Sequence, residues 1–151
     1  MEIDKLKRQS DPRMHSAEHI LNQTMVRMYD CGRCFAAHIE KKKSKCDYHF
    51  DHALTDEEIA EIQARVNGVI DADIPVTESF VARDTAERLY NIEKLPDTVA
   101  GNIRIIHIGD YDACPCIGEH VASTGEIGTF RITTTSYADG QLRIRFKLSG
   151  A

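Results

Sequence analysis

Residues 127–148 read IGTFRITTTSYADGQLRIRFKL, and this stretch decides the fold class. Asp139-Gly140 is a two-residue hairpin dipeptide, because both positions tolerate the positive φ that such turns require. The segment after it alternates: Leu142, Ile144, Phe146 and Leu148 fall on one face, Arg143, Arg145 and Lys147 on the other. A period of two with one apolar face predicts a strand that covers a core on one side and meets water on the other. The hairpin therefore predicts strands over 127–137 and 141–148.

Working outward, helical spacing replaces this alternation. Met14, Ala17, Leu21, Met25 and Met28 recur three and four apart, after the cap-like Asp11-Pro12 and before Gly32, which predicts a helix over 14–29. Thr55 with Glu58 forms a capping box ahead of Ile59, Ile62, Val66 and Ile70, the start of a second helix. Asp84 and Glu87 suggest a capped short helix to Tyr90. Strands are expected over 35–40, 46–52, 74–81 and 102–108, the last apolar and β-branched like an inner strand. The expected class is α+β: a mostly antiparallel sheet packed with two or three helices, in one domain over 1–151.

Composition narrows the function. The chain has 151 residues, 42% hydrophobic and 28% charged, which excludes collagen-like and disordered classes. It has no long apolar run and no apolar core at the N-terminus, so a cytoplasmic protein without a membrane partner is expected. Net charge is −5, yet it is unevenly spread. Acidic residues crowd 56–93, while Lys5, Lys7 and Arg8, the run Lys41, Lys42, Lys43 and Lys45, and the stripe Arg143, Arg145 and Lys147 are basic. A polyanion could meet those edges. Five cysteines, an odd number, argue against a disulfide framework.

The chemistry lies in two short motifs. HSAEH (15–19) puts two imidazoles one helical turn apart on the same face. CIGEH (116–120) offers a thiolate and an imidazole four apart in a turn between strands. One sulfur and three nitrogens suit Zn²⁺, with His15, His19, Cys116 and His120 as ligands. HSAEH also fits the inverted zinc-protease signature H-x-x-E-H, but that reading needs a further carboxylate ligand that nothing marks out. Cys31-Gly32-Arg33-Cys34 is a C-x-x-C without a flanking redox fold, and semi-buried thiols at a helix end are the preferred reading. Glu18 and Glu119 are the carboxylates nearest the ligands in sequence, for orienting an imidazole or acting as general base.

These residues carry a resemblance. H-x-x-x-H at 15–19, then C-x-G-x-H-V at 116–121 and TGEIG at 124–128, resemble the editing domain of alanyl-tRNA synthetase and its freestanding short AlaX-type trans-editing relatives. CDYHFDH (46–52), LTDEE (54–58), Val66-Asn67, Ile74-Pro75-Val76 and IGDY (108–111) extend the likeness to about residues 13–148. The related second additional domain of threonyl-tRNA synthetase shares the ligand set. The resemblance implies zinc-dependent hydrolysis, in trans, of the ester joining a wrong amino acid to a tRNA 3′ end. Serine or glycine on alanine tRNA is the expected substrate. Serine on threonine tRNA, or a non-catalytic module with structural zinc that binds tRNA or a synthetase, are the alternatives. It further implies that Gly118, Thr124, Gly125 and Glu126 shape the substrate pocket. The basic run and stripe would hold tRNA phosphates, with tRNA rather than DNA as partner. The family usually carries Thr where Glu119 stands, and the barrel and glycine-rich insertion of longer forms are not in this sequence. His120 is expected to be the looser fourth ligand.

Overall fold

A computed structural model describes residues 11–90 and 101–150. Lys5, Lys7, Arg8 and Glu93 of the charge pattern lie outside the described residues. The elements are α1 (Pro12–Tyr29), β1 (Ala36–Ile39), β2 (Ser44–His49), α2 (Asp56–Asp71), β3 (Val76–Ala82), α3 (Arg83–Leu89), β4 (Asn102–Ile108), β5 (Asp112–Pro115), a 3₁₀ turn (Thr124–Ile127), β6 (Thr129–Ala138) and β7 (Gln141–Ser149). They form the expected α+β arrangement, but with two antiparallel sheets among the described residues: a four-stranded one in the order β1-β2-β7-β6 and a three-stranded one in the order β3-β4-β5. No helix among the described residues is long and apolar enough to cross a membrane.

The local signals act as read. Asp11 caps α1 by accepting from the N–H groups of Arg13 and Met14 at 2.8 and 3.3 Å. Asp30, at φ 53°, ends the helix in the left-handed region. Thr55 and Glu58 close the capping box of α2 in both directions. The β6–β7 hairpin turns at Asp139-Gly140, both at positive φ, and Leu142, Ile144 and Phe146 are buried. These pack with Met14, Ala17, Leu21 and Met25 of α1 and Ile62, Val66 and Ile70 of α2 into the main core.

One expectation is corrected, and one strand goes beyond the sequence reading. Asp84 does not cap α3: the cap position is Ala82, without a side-chain bond, and Asp84 only accepts from the next N–H. The helix follows β3 directly and begins at Arg83, so Asp84 already lies inside it and cannot take the non-helical cap position. The segment 112–115, to which the sequence reading assigns no element, is a strand paired with β4 from Ile108↔Asp112 to Ile105↔Pro115. Its four residues are too few to show alternation, and Pro115 sits at its end, where a missing N–H is tolerated. With β5 in place, β4 is covered on both faces: Ile103 and Ile105 pack with Ala86, while Ile108 joins the main core.

Thr124 is buried and pins the 3₁₀ turn to the end of α2. Its hydroxyl donates to the Val69 carbonyl at 2.8 Å and accepts from the Ile74 N–H at 2.8 Å. Replacing it by Val keeps the volume and strands a buried donor and acceptor. Thr124→Val is therefore expected to lower unfolding free energy by about 1–3 kcal/mol. An unchanged midpoint in urea denaturation would contradict that role.

Candidate metal centre

The capped α1 projects His15 and His19 from one face, and the loop after β5 brings Cys116 and His120 against them. One donor atom from each lies within 4.8 Å of all the others. The Cys116 Sγ is 3.3 Å from His15 Nε2 and 3.5 Å from His120 Nε2. Zinc–nitrogen and zinc–sulfur bonds at a tetrahedral angle put N and S about 3.5 Å apart, so these spacings fit one ion. The rings of His15 and His120 stack at 4.3 Å, with His19 edge-on to both at 5.1 and 4.5 Å.

Each imidazole has an oxygen near its Nδ1, which leaves Nε2 for the centre. His15 Nδ1 lies 3.3 Å from the Glu119 carbonyl, His120 Nδ1 lies 3.0 Å from Ser16 Oγ, and His19 Nδ1 lies 3.6 Å from Asp112 Oδ2. A metal held at Nε2 would fix the proton on Nδ1, on the side where each ring meets one of these oxygens. His19 Nδ1 is buried without a hydrogen-bond partner here, the kind of orphan that a small shift toward Asp112 satisfies.

Ser16 and Asp112 were not singled out in the sequence, yet both organise the site. Ser16, fully buried, also accepts from the Val121 N–H at 3.2 Å, so one hydroxyl joins helix and loop. Asp112 is buried and accepts from Arg33 at 2.7 Å and from Gln23 at 2.9 Å. Burial works against its charge, but His19 and Arg33 outweigh that and hold the carboxyl well below the usual range. From β4, Arg104 donates to the Cys116 and Gly118 carbonyls at 3.3 and 2.7 Å and so shapes the ligand loop. Gly118 must lack a side chain, since a Cβ there would stand 2.1 Å from His15 Cε1.

The other expected site residues distribute unevenly. Glu18, nearly buried, has Oε1 3.8 Å from His19 Nε2, on the side that faces the centre. The Glu119 side chain is exposed, and its carbonyl is the group that reaches the site. Gly125 and Glu126 belong to a separate turn: Gly125 N donates to Asp73, and Glu126 Oε2 accepts from the Ser123 N–H at 2.8 Å. Lys41, Lys42 and Lys43 are exposed. On the outer face of the large sheet Lys45 pairs across from Arg145, and Arg131 across from Lys147. Arg143 is engaged bidentately by Asp47 at 2.7 and 3.0 Å.

The sequence profile of the threonyl and alanyl tRNA synthetase second additional domain matches residues 103–145, the span that carries Cys116 and His120. The alanine–tRNA ligase of Methanopyrus kandleri is 32% identical over 149 residues, covering 96% of this chain and 16% of the relative. That of Pyrobaculum neutrophilum is 33% identical over 154 residues, covering 96% of this chain and 17% of the relative. Residues 103–145 thus carry the likeness to this second additional domain, and nearly the whole chain is similar to one part of the alanine–tRNA ligases. A further alanine–tRNA ligase, from Fervidobacterium nodosum, is 30% identical over 143 residues, 94% of this chain. The chain spans about a sixth of the length of the curated relatives that it matches.

Electrostatics define how the centre takes up metal. The three imidazoles hold the Cys116 thiol down to about 2 against its burial, so sulfur is ionised at neutral pH. Burial works against charge on His19, but Asp112 and Cys116 raise it to about 9. His120 is lowered to about 4 by burial, so its nitrogen is ready to bind. At pH 7 the proton on His19 competes with the ion. Raising the pH removes that competitor. Metal affinity is expected to climb about tenfold per pH unit between 7 and 9 and then level off. Competition against a chromophoric chelator measures this, and a flat profile over that range would contradict it.

Proposed function

We propose that this protein hydrolyses the ester bond of mischarged aminoacyl-tRNA in trans, with zinc bound by His15, His19, Cys116 and His120. The observation that carries the reading is the convergence of those four donors within 4.8 Å of one another, in a chain whose relatives are alanine–tRNA ligases. The substrate is serine on alanine tRNA, with glycine the next candidate, and the reaction takes place in the cytoplasm.

Zinc in this donor set supplies Lewis acidity, toward a water or toward the ester carbonyl. The remaining work falls to the chain. Ser16, Asp112 and the Glu119 carbonyl take the Nδ1 protons of the imidazoles and fix each ring. Glu18 is better placed than Glu119 to handle a proton at the reacting ester, because its carboxylate borders the metal-facing nitrogen of His19 while the Glu119 side chain is exposed. Gly118 leaves room beside His15. Thr124, Gly125 and Glu126 act as a braced turn behind the ligand loop, and their part in the pocket is one of support.

For the nucleic acid, Lys45, Arg145, Arg131 and Lys147 make a four-cation face, joined by Lys41, Lys42 and Lys43 at the adjoining turn. Like charges side by side cost energy unless an anion meets them, and tRNA phosphates would do so without sequence readout. Arg143 contributes less, because Asp47 already neutralises it.

Labelled Ser-tRNA(Ala), Gly-tRNA(Ala) and Ser-tRNA(Thr), incubated side by side with and without chelator, test the reading. Release of serine from alanine tRNA that chelator abolishes and zinc restores is the expected result. Binding of tRNA without release would instead favour a non-catalytic module, and chelator-insensitive release would remove zinc from the account.

A further inference from the structure

Cys34 and Cys46 are far apart in sequence but adjacent in space. Cys34 precedes β1, Cys46 lies within β2, and both are buried, at 2% and 0% exposure. The C-x-x-C reading therefore pairs the wrong sulfur: Cys31 turns away to the backbone carbonyls of Met25 and Gly32. What completes the Cys34–Cys46 pair is Glu18. The two sulfurs and a Glu18 oxygen lie within 4.8 Å of one another. Glu18 Oε2 is 3.9 Å from Cys34 Sγ, while Oε1 faces His19 Nε2 at 3.8 Å.

A carboxylate this deep normally takes N–H or O–H donors. Here it meets the Cys34 thiol, a weak donor, at 3.9 Å and the His19 imidazole at 3.8 Å. Two buried sulfurs and a carboxylate oxygen within 4.8 Å of one another are a donor set for a cation.

The geometry points to a second metal site, formed by Cys34, Cys46 and Glu18, that takes a soft divalent d¹⁰ cation of the zinc and cadmium class. Two sulfurs select against hard ions such as Mg²⁺ and Ca²⁺. Uptake replaces two thiol protons: M²⁺ + 2 RSH gives M(SR)₂ + 2 H⁺, with Glu18 as third ligand and no change of oxidation state. The charges then balance across the pair of sites. The His₃Cys site with a divalent ion carries +1, and the Cys₂Glu site carries −1. Glu18 stands between them, one oxygen toward each. The inference is independent of ester hydrolysis and would survive its failure.

Cadmium titration of the full chain tests it, because each cadmium–thiolate bond absorbs in the ultraviolet. Two ions per chain are expected, with total charge-transfer absorption about three times that of Cys34→Ala/Cys46→Val, which keeps Cys116 as the one sulfur belonging to either site. A complementary variant, Cys116→Ala/His120→Ala, leaves the second cluster intact and is expected to bind one ion through two thiolates. One ion per wild-type chain with absorption that Cys34→Ala/Cys46→Val fully retains, or no ion in Cys116→Ala/His120→Ala, overturns the proposal.

Discussion

The candidate centre depends on one buried hydroxyl. Ser16 Oγ meets both His120 Nδ1 and the Val121 N–H, and so joins the first turns of α1 to a loop 104 residues later in the chain. Without that joint the two ligand pairs belong to separate elements, each ordinary by itself. With it, the helix register and the loop conformation become one geometric problem. Arg104 solves the other half by holding the Cys116 and Gly118 carbonyls from the neighbouring strand. The centre is thus braced from the helix, from the sheet and from within the loop.

Electrostatics follow the same division. Asp112 is buried and would be costly alone, but Arg33 satisfies it from one side and His19 approaches from the other. The segment 31–34, between α1 and β1, thereby reaches the metal centre through Arg33 and the Glu18 cluster through Cys34. The acidic net charge is no guide to any of this. It averages an acidic α2 with a cationic outer sheet face, where Lys45 and Arg145 stand directly across from each other.

Much of the fold was legible because its signals are local. A capping box, an Asp cap and an Asp-Gly hairpin each act over a few residues, and each forms as read. The four candidate ligands were legible for the same reason: i, i+4 spacing on a helix is a statement about one turn. What escaped was non-local. Ser16 and Asp112 look like any polar residues until the loop arrives. Cys34 and Cys46 meet only through the approach of β1 and β2, which no spacing rule encodes. β5 escaped because four residues are too few to display a period, and the cap assigned to Asp84 failed because β3 runs straight into α3.

The central claim is that one zinc ion sits among three imidazoles and one thiolate. X-ray absorption at the zinc edge, on protein given one equivalent of zinc, tests this most directly. The account predicts one sulfur at about 2.3 Å and three nitrogens at about 2.0–2.1 Å. A first shell without sulfur, or one with two sulfurs, would contradict it.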